Sequence, residues 1–130
     1  MPDNKEVVLE VEHLTKAFKL PTGEMLTACN DITFQLFKGE TLGIVGESGS
    51  GKSTLVRSLV GLHQIDNGKI ILQGKEIAGF KGESGRKNRQ NIQMVFQNAG
   101  QAFDPKFKIV DVLCEPLRNF DMLRMSAVDK

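Results

Sequence analysis

An α/β fold is what this sequence predicts, and three observations carry it. Apolar residues alternate with polar ones in residues 7–12 and 32–36, the period of a half-buried strand. The run Thr41-Leu42-Gly43-Ile44-Val45 is short and mostly apolar, as a buried strand should be. After a glycine-rich stretch, Leu55, Val56, Leu59 and Val60 then recur at helical spacing and predict a buried stripe. At 130 residues the chain is one domain at most.

Each element has its own signal. Leu9, Glu10, Val11 and Glu12 alternate apolar and acidic residues, which predicts a strand over 7–12, and Pro21-Thr22-Gly23 marks the loop beyond it. Ile32, Phe34 and Leu36 face one way, Thr33 and Gln35 the other, giving a second strand. Lys38-Gly39 turns tightly into the run at 41–45, and the helix is expected over about residues 52–62. Asp66-Asn67-Gly68 signals a turn, residues 69–73 a strand, and Gly74-Lys75 another turn. Residues 80–91 are polar and glycine-containing and read as a solvated connection. Ile92, Met94 and Phe96 alternate with Gln93, Val95 and Gln97 and predict a further strand. Val110, Val112 and Leu113, then Leu117, Phe120 and Leu123, suggest short helices bracketed by Pro105 and Pro116, with Glu115-Pro116 a turn or helix start.

Composition excludes several classes. With 40% hydrophobic and 25% charged residues the chain has ordinary globular composition, and its net charge of +1 argues against a dedicated nucleic-acid binder. Arg86, Lys87 and Arg89 form a small basic cluster without interleaved aromatics, which reads as a solvated loop. Cys29 and Cys114 lie far apart, outside any CxxC spacing, and are expected as buried thiols of a reducing compartment. Met122 and Met125 read as gap-filling apolar residues. The start of the chain has no apolar leader core and no stretch approaches eighteen apolar residues, so a cytoplasmic protein is expected.

The chemistry lies in the stretch from Gly46 to Ser53, which fits G-x-x-x-x-G-K-[ST]. Glycines at Gly46, Gly49 and Gly51 let consecutive backbone N–H groups turn inward as a nest for phosphate oxygens, and Ser48 and Ser50 contribute mainly N–H groups to it. Lys52 brings a point charge to the outer phosphates, the Ser53 hydroxyl can ligate Mg²⁺, and the following helix aims its positive end at the same anion. Thr54, in the first turn, is expected to cap that helix. Strand, loop and helix in this order make nucleotide binding the expected function.

Taken together, these motifs resemble the front half of the ATP-binding cassette (ABC) ATPases. Residues 39–54, from Gly39-Glu40-Thr41 to Lys52-Ser53-Thr54, are very similar to the peptide/nickel-importer branch. So are Met94-Val95-Phe96-Gln97, Phe103-Asp104-Pro105 and Glu115-Pro116-Leu117-Arg118, and the resemblance covers about residues 7–120. It implies a P-loop NTPase core with a parallel sheet and an added antiparallel β-subdomain over about residues 7–97, and the start of a helical subdomain over about 98–130. It also implies that Phe18, ending Leu14-Thr15-Lys16-Ala17-Phe18, stacks on adenine, that Gln97 contacts Mg²⁺ and water, and that Thr54 contacts the α-phosphate. With eight Phe and neither Tyr nor Trp, a purine stack in this chain must use a phenylalanine.

The family's function would follow: an energy-coupling ATPase with ATP and Mg²⁺ as cofactors, working with membrane-spanning permease subunits and a second ATPase subunit on the cytoplasmic face of the membrane. Its chemistry also needs an apolar strand ending in Asp-Glu, a Leu-Ser-Gly-Gly-Gln motif and a switch histidine, all after Gln97. Ile109-Val110-Asp111-Val112 is the nearest approach to that strand, there is no Gly-Gly pair, and His13 and His63 both precede Gln97. The expectation is therefore ATP binding without unaided turnover, with no catalytic residue identified, in a chain truncated before the second half, whose apolar faces stay uncovered. A non-catalytic nucleotide-binding module is the alternative; a small P-loop kinase would need an arginine-rich lid, for which Arg86, Arg89, Arg118 and Arg124 show no clear pattern.

Overall fold

Two long strands dominate the chain. β1 (Val7–Lys19) and β2 (Met25–Phe37) pair antiparallel, with Val7 opposite Phe37 and Lys19 opposite Met25. Gly23 closes the connection between them, donating its N–H to the Leu20 carbonyl at 2.9 Å with φ 91°. Both strands run further than the alternation predicts, and the reason is a change of phase. Between Val11 and Leu14 the register shifts, and His13 (φ 52°) and Asp31 (φ 54°) take left-handed backbone conformations there. Threonine side chains replace the ladder bonds at this bulge: His13 N–H donates to Thr33 Oγ1 at 2.9 Å and Asp31 N–H to Thr15 Oγ1 at 3.2 Å.

β3 (Asn67–Leu72) pairs antiparallel with the other edge of β1, setting Val11 opposite Ile70. Gln73 (φ 50°) and Gly74 (φ 74°) form a two-residue turn into β4 (Lys75–Glu76), and the sheet order is β2-β1-β3-β4. At Gly68 the backbone of β3 passes close against β1. A Cβ there would lie 2.4 Å from the Glu12 carbonyl oxygen and 2.5 Å from that of His13, so only glycine fits.

One helix covers this sheet. α1 (Lys52–Leu59) buries Leu55, Ser58 and Leu59 and joins Leu9, Val11, Leu14, Cys29, Ile70 and Ile77 in one core. Val56 and Val60 of the predicted stripe are only half-buried. Ser58, 1% exposed, is satisfied by donating to the Thr54 carbonyl at 2.9 Å. The helix ends three residues before the expected boundary because Gly61 (φ 76°) closes it. Gly61 N–H bonds the Ser58 carbonyl and Leu62 N–H the Arg57 carbonyl, the Schellman pattern.

The computed structural model describes residues 5–77, 82–98, 100 and 104–120 of the chain. The expectations placed on Phe80, Phe103, Met122, Leu123, Met125 and Arg124 lie outside the described residues, as does the Arg86 side chain. Among the described residues neither 41–45 nor 92–97 joins a ladder, which corrects both strand expectations. A parallel strand needs hydrogen-bonded neighbours on its edges, and no described strand runs beside either segment. Burial still alternates weakly at Ile92 and Met94, half-buried between exposed Asn91, Gln93 and Val95.

Two further corrections concern helices. The polar stretch contains α2 (Gly82–Arg89), which periodicity missed because its residues carry no apolar stripe. α3 (Ile109–Asn119) runs as one helix with Pro116 inside it, not at a start or turn. Proline gives up the N–H that would reach back one turn, yet the Pro116 carbonyl still accepts from Phe120 N–H at 3.1 Å. Cys29 is buried as expected, while Cys114 on α3 is half-exposed. No helix among the described residues is long and apolar enough to cross a membrane.

Candidate functional site

The loop before α1 is shaped by two left-handed glycines and held by its own lysine. Ser50 N–H donates to the Glu47 carbonyl at 3.2 Å, Gly49 turns the chain at φ 83°, and Gly51 (φ 90°, ψ 0°) opens the helix by accepting Leu55 N–H at 2.9 Å. Lys52 Nζ donates to the Gly46 carbonyl at 2.7 Å, the Glu47 carbonyl at 2.6 Å and Ser50 Oγ at 3.1 Å. Three acceptors match the three donors of an ammonium, so the charge is fixed inside the loop. A Cβ at Gly46 would lie 2.6 Å from Ser50 Oγ and 3.8 Å from Lys52 Nζ, inside the space the lysine uses.

The loop is seated on β2. At Gly51 a Cβ would stand 2.0 Å from the Ala28 carbonyl oxygen, so the strand approaches the loop as closely as backbone can. The Cys29 thiol, its pKa pushed up by burial, points its sulfur at the Gly51 carbonyl at 3.8 Å. Neither Ala28 nor Cys29 carried a sequence signal for this role, since the contact depends on the pairing register of a strand more than twenty residues upstream.

Ser48 and Ser50 are exposed in the loop, and Ser53 is exposed at the first turn of α1. Thr54 does not cap the helix, correcting that expectation: Gly51 holds the cap position and no side chain bonds the first turn. The Thr54 carbonyl is instead the acceptor for Ser58. Gln97 sits exposed in the turn after residues 92–96 and makes no hydrogen bond to the loop among the described residues. Asp111, the nearest candidate for an acidic strand, lies on α3 and pairs with Arg118 at 3.2 Å. No group of three or more His, Cys, Asp or Glu among the described residues could hold a metal.

Phe18 is half-buried at the end of β1 inside a cluster the sequence did not show. Its ring meets His63 edge-on, centroids 5.3 Å apart at 77°, and the Lys16 ammonium stands 5.2 Å from its centroid. Lys16 Nζ is paired with Asp66 Oδ1 at 2.9 Å, and Asp66 Oδ2 accepts Ala17 N–H at 2.7 Å. The Ala17 N–H first, and then Lys16, hold the Asp66 carboxyl below its ordinary pKa. Asp66, legible only as a turn residue, therefore ties the end of β1 to the chain leaving α1.

Comparison with known proteins converges with this geometry. The sequence model of the family described as ABC transporter matches residues 29–127. The oligopeptide transport ATP-binding protein OppF of Haemophilus influenzae is 39% identical over 124 residues, covering 89% of this chain and 37% of that protein. The oligopeptide transport ATP-binding protein AppF of Bacillus subtilis is 37% identical over 129 residues, covering 94% of this chain and 39% of its own length. The chain thus spans less than two-fifths of the length of these relatives. Among solved structures, a dimeric ATP-binding cassette in a post-hydrolysis state, bound to ADP and Pi, superposes with a TM-score of 0.75 at 24% identity, over 89% of this chain and 48% of that one. That likeness shows the cassette fold, an α/β architecture with an antiparallel β-subdomain. Loop, fold and relatives agree, and the chain belongs to the ABC transporter family.

Proposed function

We propose that the chain is the ATP-binding portion of an energy-coupling subunit of an ABC importer for peptides or nickel, acting peripherally at the cytoplasmic face with permease subunits and a second ATPase subunit. The observation that carries this reading is the Lys52 ammonium fixed within a loop of Gly46, Gly49 and Gly51 at the head of α1. The relatives support the transport role, and their names supply the peptide branch.

The groups present fit a nucleoside triphosphate with Mg²⁺. Lys52 would exchange its carbonyl partners for phosphate oxygens, free backbone N–H groups of the loop would meet the same phosphates, and the exposed Ser53 hydroxyl and Gln97 would contact the metal. In this reading Thr54 contacts the α-phosphate and Phe18 stacks on the purine. Mg²⁺, when bound, neutralises charge on the outer phosphates. Hydrolysis draws on an acidic strand, a signature motif and a switch histidine that these 130 residues do not supply, so no catalytic base is assigned within them. Residues 7–97 form the β-subdomain and P-loop core in this reading, and 98–130 begin the helical subdomain. Exposed apolar side chains such as Val45 and Val95 favour a part of a larger assembly over a free-standing regulatory module.

Equilibrium binding of Mg²⁺-ATP to the purified chain tests the site. Saturable binding that Lys52→Ala abolishes is expected; binding unchanged in that variant would overturn the assignment of the loop.

A further inference from the structure

We propose that His63 is a positioning residue for the nucleobase, holding Phe18 as a fixed stacking platform, an inference that rests on the reading of Phe18 as the purine-binding ring. A phenylalanine at a strand end, half-exposed, would stack weakly if its ring were free to change rotamer, because stacking must then order the ring as well as the base. Here the ring is ordered in advance. The His63 imidazole meets it at 5.3 Å and 77°, and the Lys16 ammonium lies 5.2 Å from its centroid. Lys16 cannot swing away freely, since its side chain is 13% exposed and Asp66 holds it at 2.9 Å.

The placement of His63 gives this contact its consequence. The His63 backbone N–H donates to the Arg57 carbonyl at 3.2 Å, so the main chain that carries the imidazole is anchored to the last turn of α1, just beyond the Gly61 cap. α1 begins at Lys52, the residue that meets the outer phosphates. One eight-residue helix, about 12 Å long, therefore has the phosphate contact at its head and the buttress of the base platform tied just past its tail. Asp66 closes the same frame from the other side, bonding Ala17 N–H at 2.7 Å while its own N–H donates to the Thr15 carbonyl at 2.9 Å. The distance between phosphate site and base platform is thus set by α1, the end of β1 and the hydrogen-bonded connection that carries His63 and Asp66.

The test compares ATP with tripolyphosphate, which has the phosphates and no base. His63→Ala should weaken Mg²⁺-ATP binding about two- to tenfold, the worth of an aromatic edge contact, and leave tripolyphosphate binding unchanged. His63→Phe, which keeps a ring at the contact, should restore ATP binding. Equal weakening of both ligands would make His63 a merely structural residue and overturn the inference, as would ATP binding unaffected by His63→Ala. Phe18→Ala separates the two layers: if it leaves ATP binding intact, the base platform itself is wrong, and the inference falls with it. A wild-type chain that binds neither ligand would overturn the nucleotide site as a whole.

Discussion

Two sets of apolar side chains in this chain, similar in composition, end in opposite places. Leu9, Val11, Leu14 and Ile70 of the sheet and Leu55 and Leu59 of α1 are all at most 8% exposed. Val45, Val95, Ile109 and Leu113 are 93%, 91%, 72% and 65% exposed. What differs is where each set's neighbours come from. β1 and β2 pair across a short connection, β3 returns antiparallel onto the other edge of β1 after α1, and so every neighbour this core needs lies within the chain. Residues 41–45 have the pattern of a strand buried on both faces and 92–97 the alternation of a half-buried one, and in a parallel sheet such strands depend on non-local neighbours. Apolar patterning therefore states that a segment requires cover; it does not state that the cover is present.

The strongest way to break this comparison is Leu14→Ala. Leu14 is fully buried at the centre of the core, and its truncation should cost about 2–5 kcal/mol of unfolding free energy in a denaturant titration. A cost under about 0.5 kcal/mol would mean the sheet–α1 core is not the stabilising unit. A smaller effect, about 1 kcal/mol, is expected for Asp66→Ala, which removes a carboxylate accepting from Ala17 N–H and Lys16 at a largely exposed site. Its sign with pH is fixed. The folded pKa lies below the unfolded one, so the contribution is complete above the ordinary carboxylate value and is lost as pH falls through the folded pKa. The difference between wild type and Asp66→Ala should accordingly shrink below about pH 4, and a difference that grew with acid would contradict the assigned hydrogen bonds. At the small end, Val95→Ala should stay within about 0.5 kcal/mol, because that side chain is 91% exposed.

Much of the site was legible in the sequence because its signal is local. The glycines and lysine of the loop act through backbone geometry over eight consecutive residues, and the structure shapes that loop with Gly49 and Gly51 in left-handed conformations. What stayed hidden depends on register between distant segments. Ala28 and Cys29 beneath Gly51, Ser58 bonding back to Thr54, and the Lys16–Phe18–His63–Asp66 cluster each require knowing which residues the bulged β1–β2 ladder and the β1–β3 ladder bring together. The bulge at His13 and Asp31 shifted the period of β1, which is why alternation ended at Glu12 while the strand continued to Lys19. α2 escaped for the opposite reason: a helix without an apolar stripe gives periodicity nothing to detect.

Amide hydrogen exchange of the chain with and without Mg²⁺-ATP would probe the nucleotide site most directly. Binding at the loop predicts slowing over residues 46–54, little change in the already protected β1 and β3, and no slowing in Lys52→Ala. Unchanged exchange across 46–54, or the same slowing in Lys52→Ala, would contradict it.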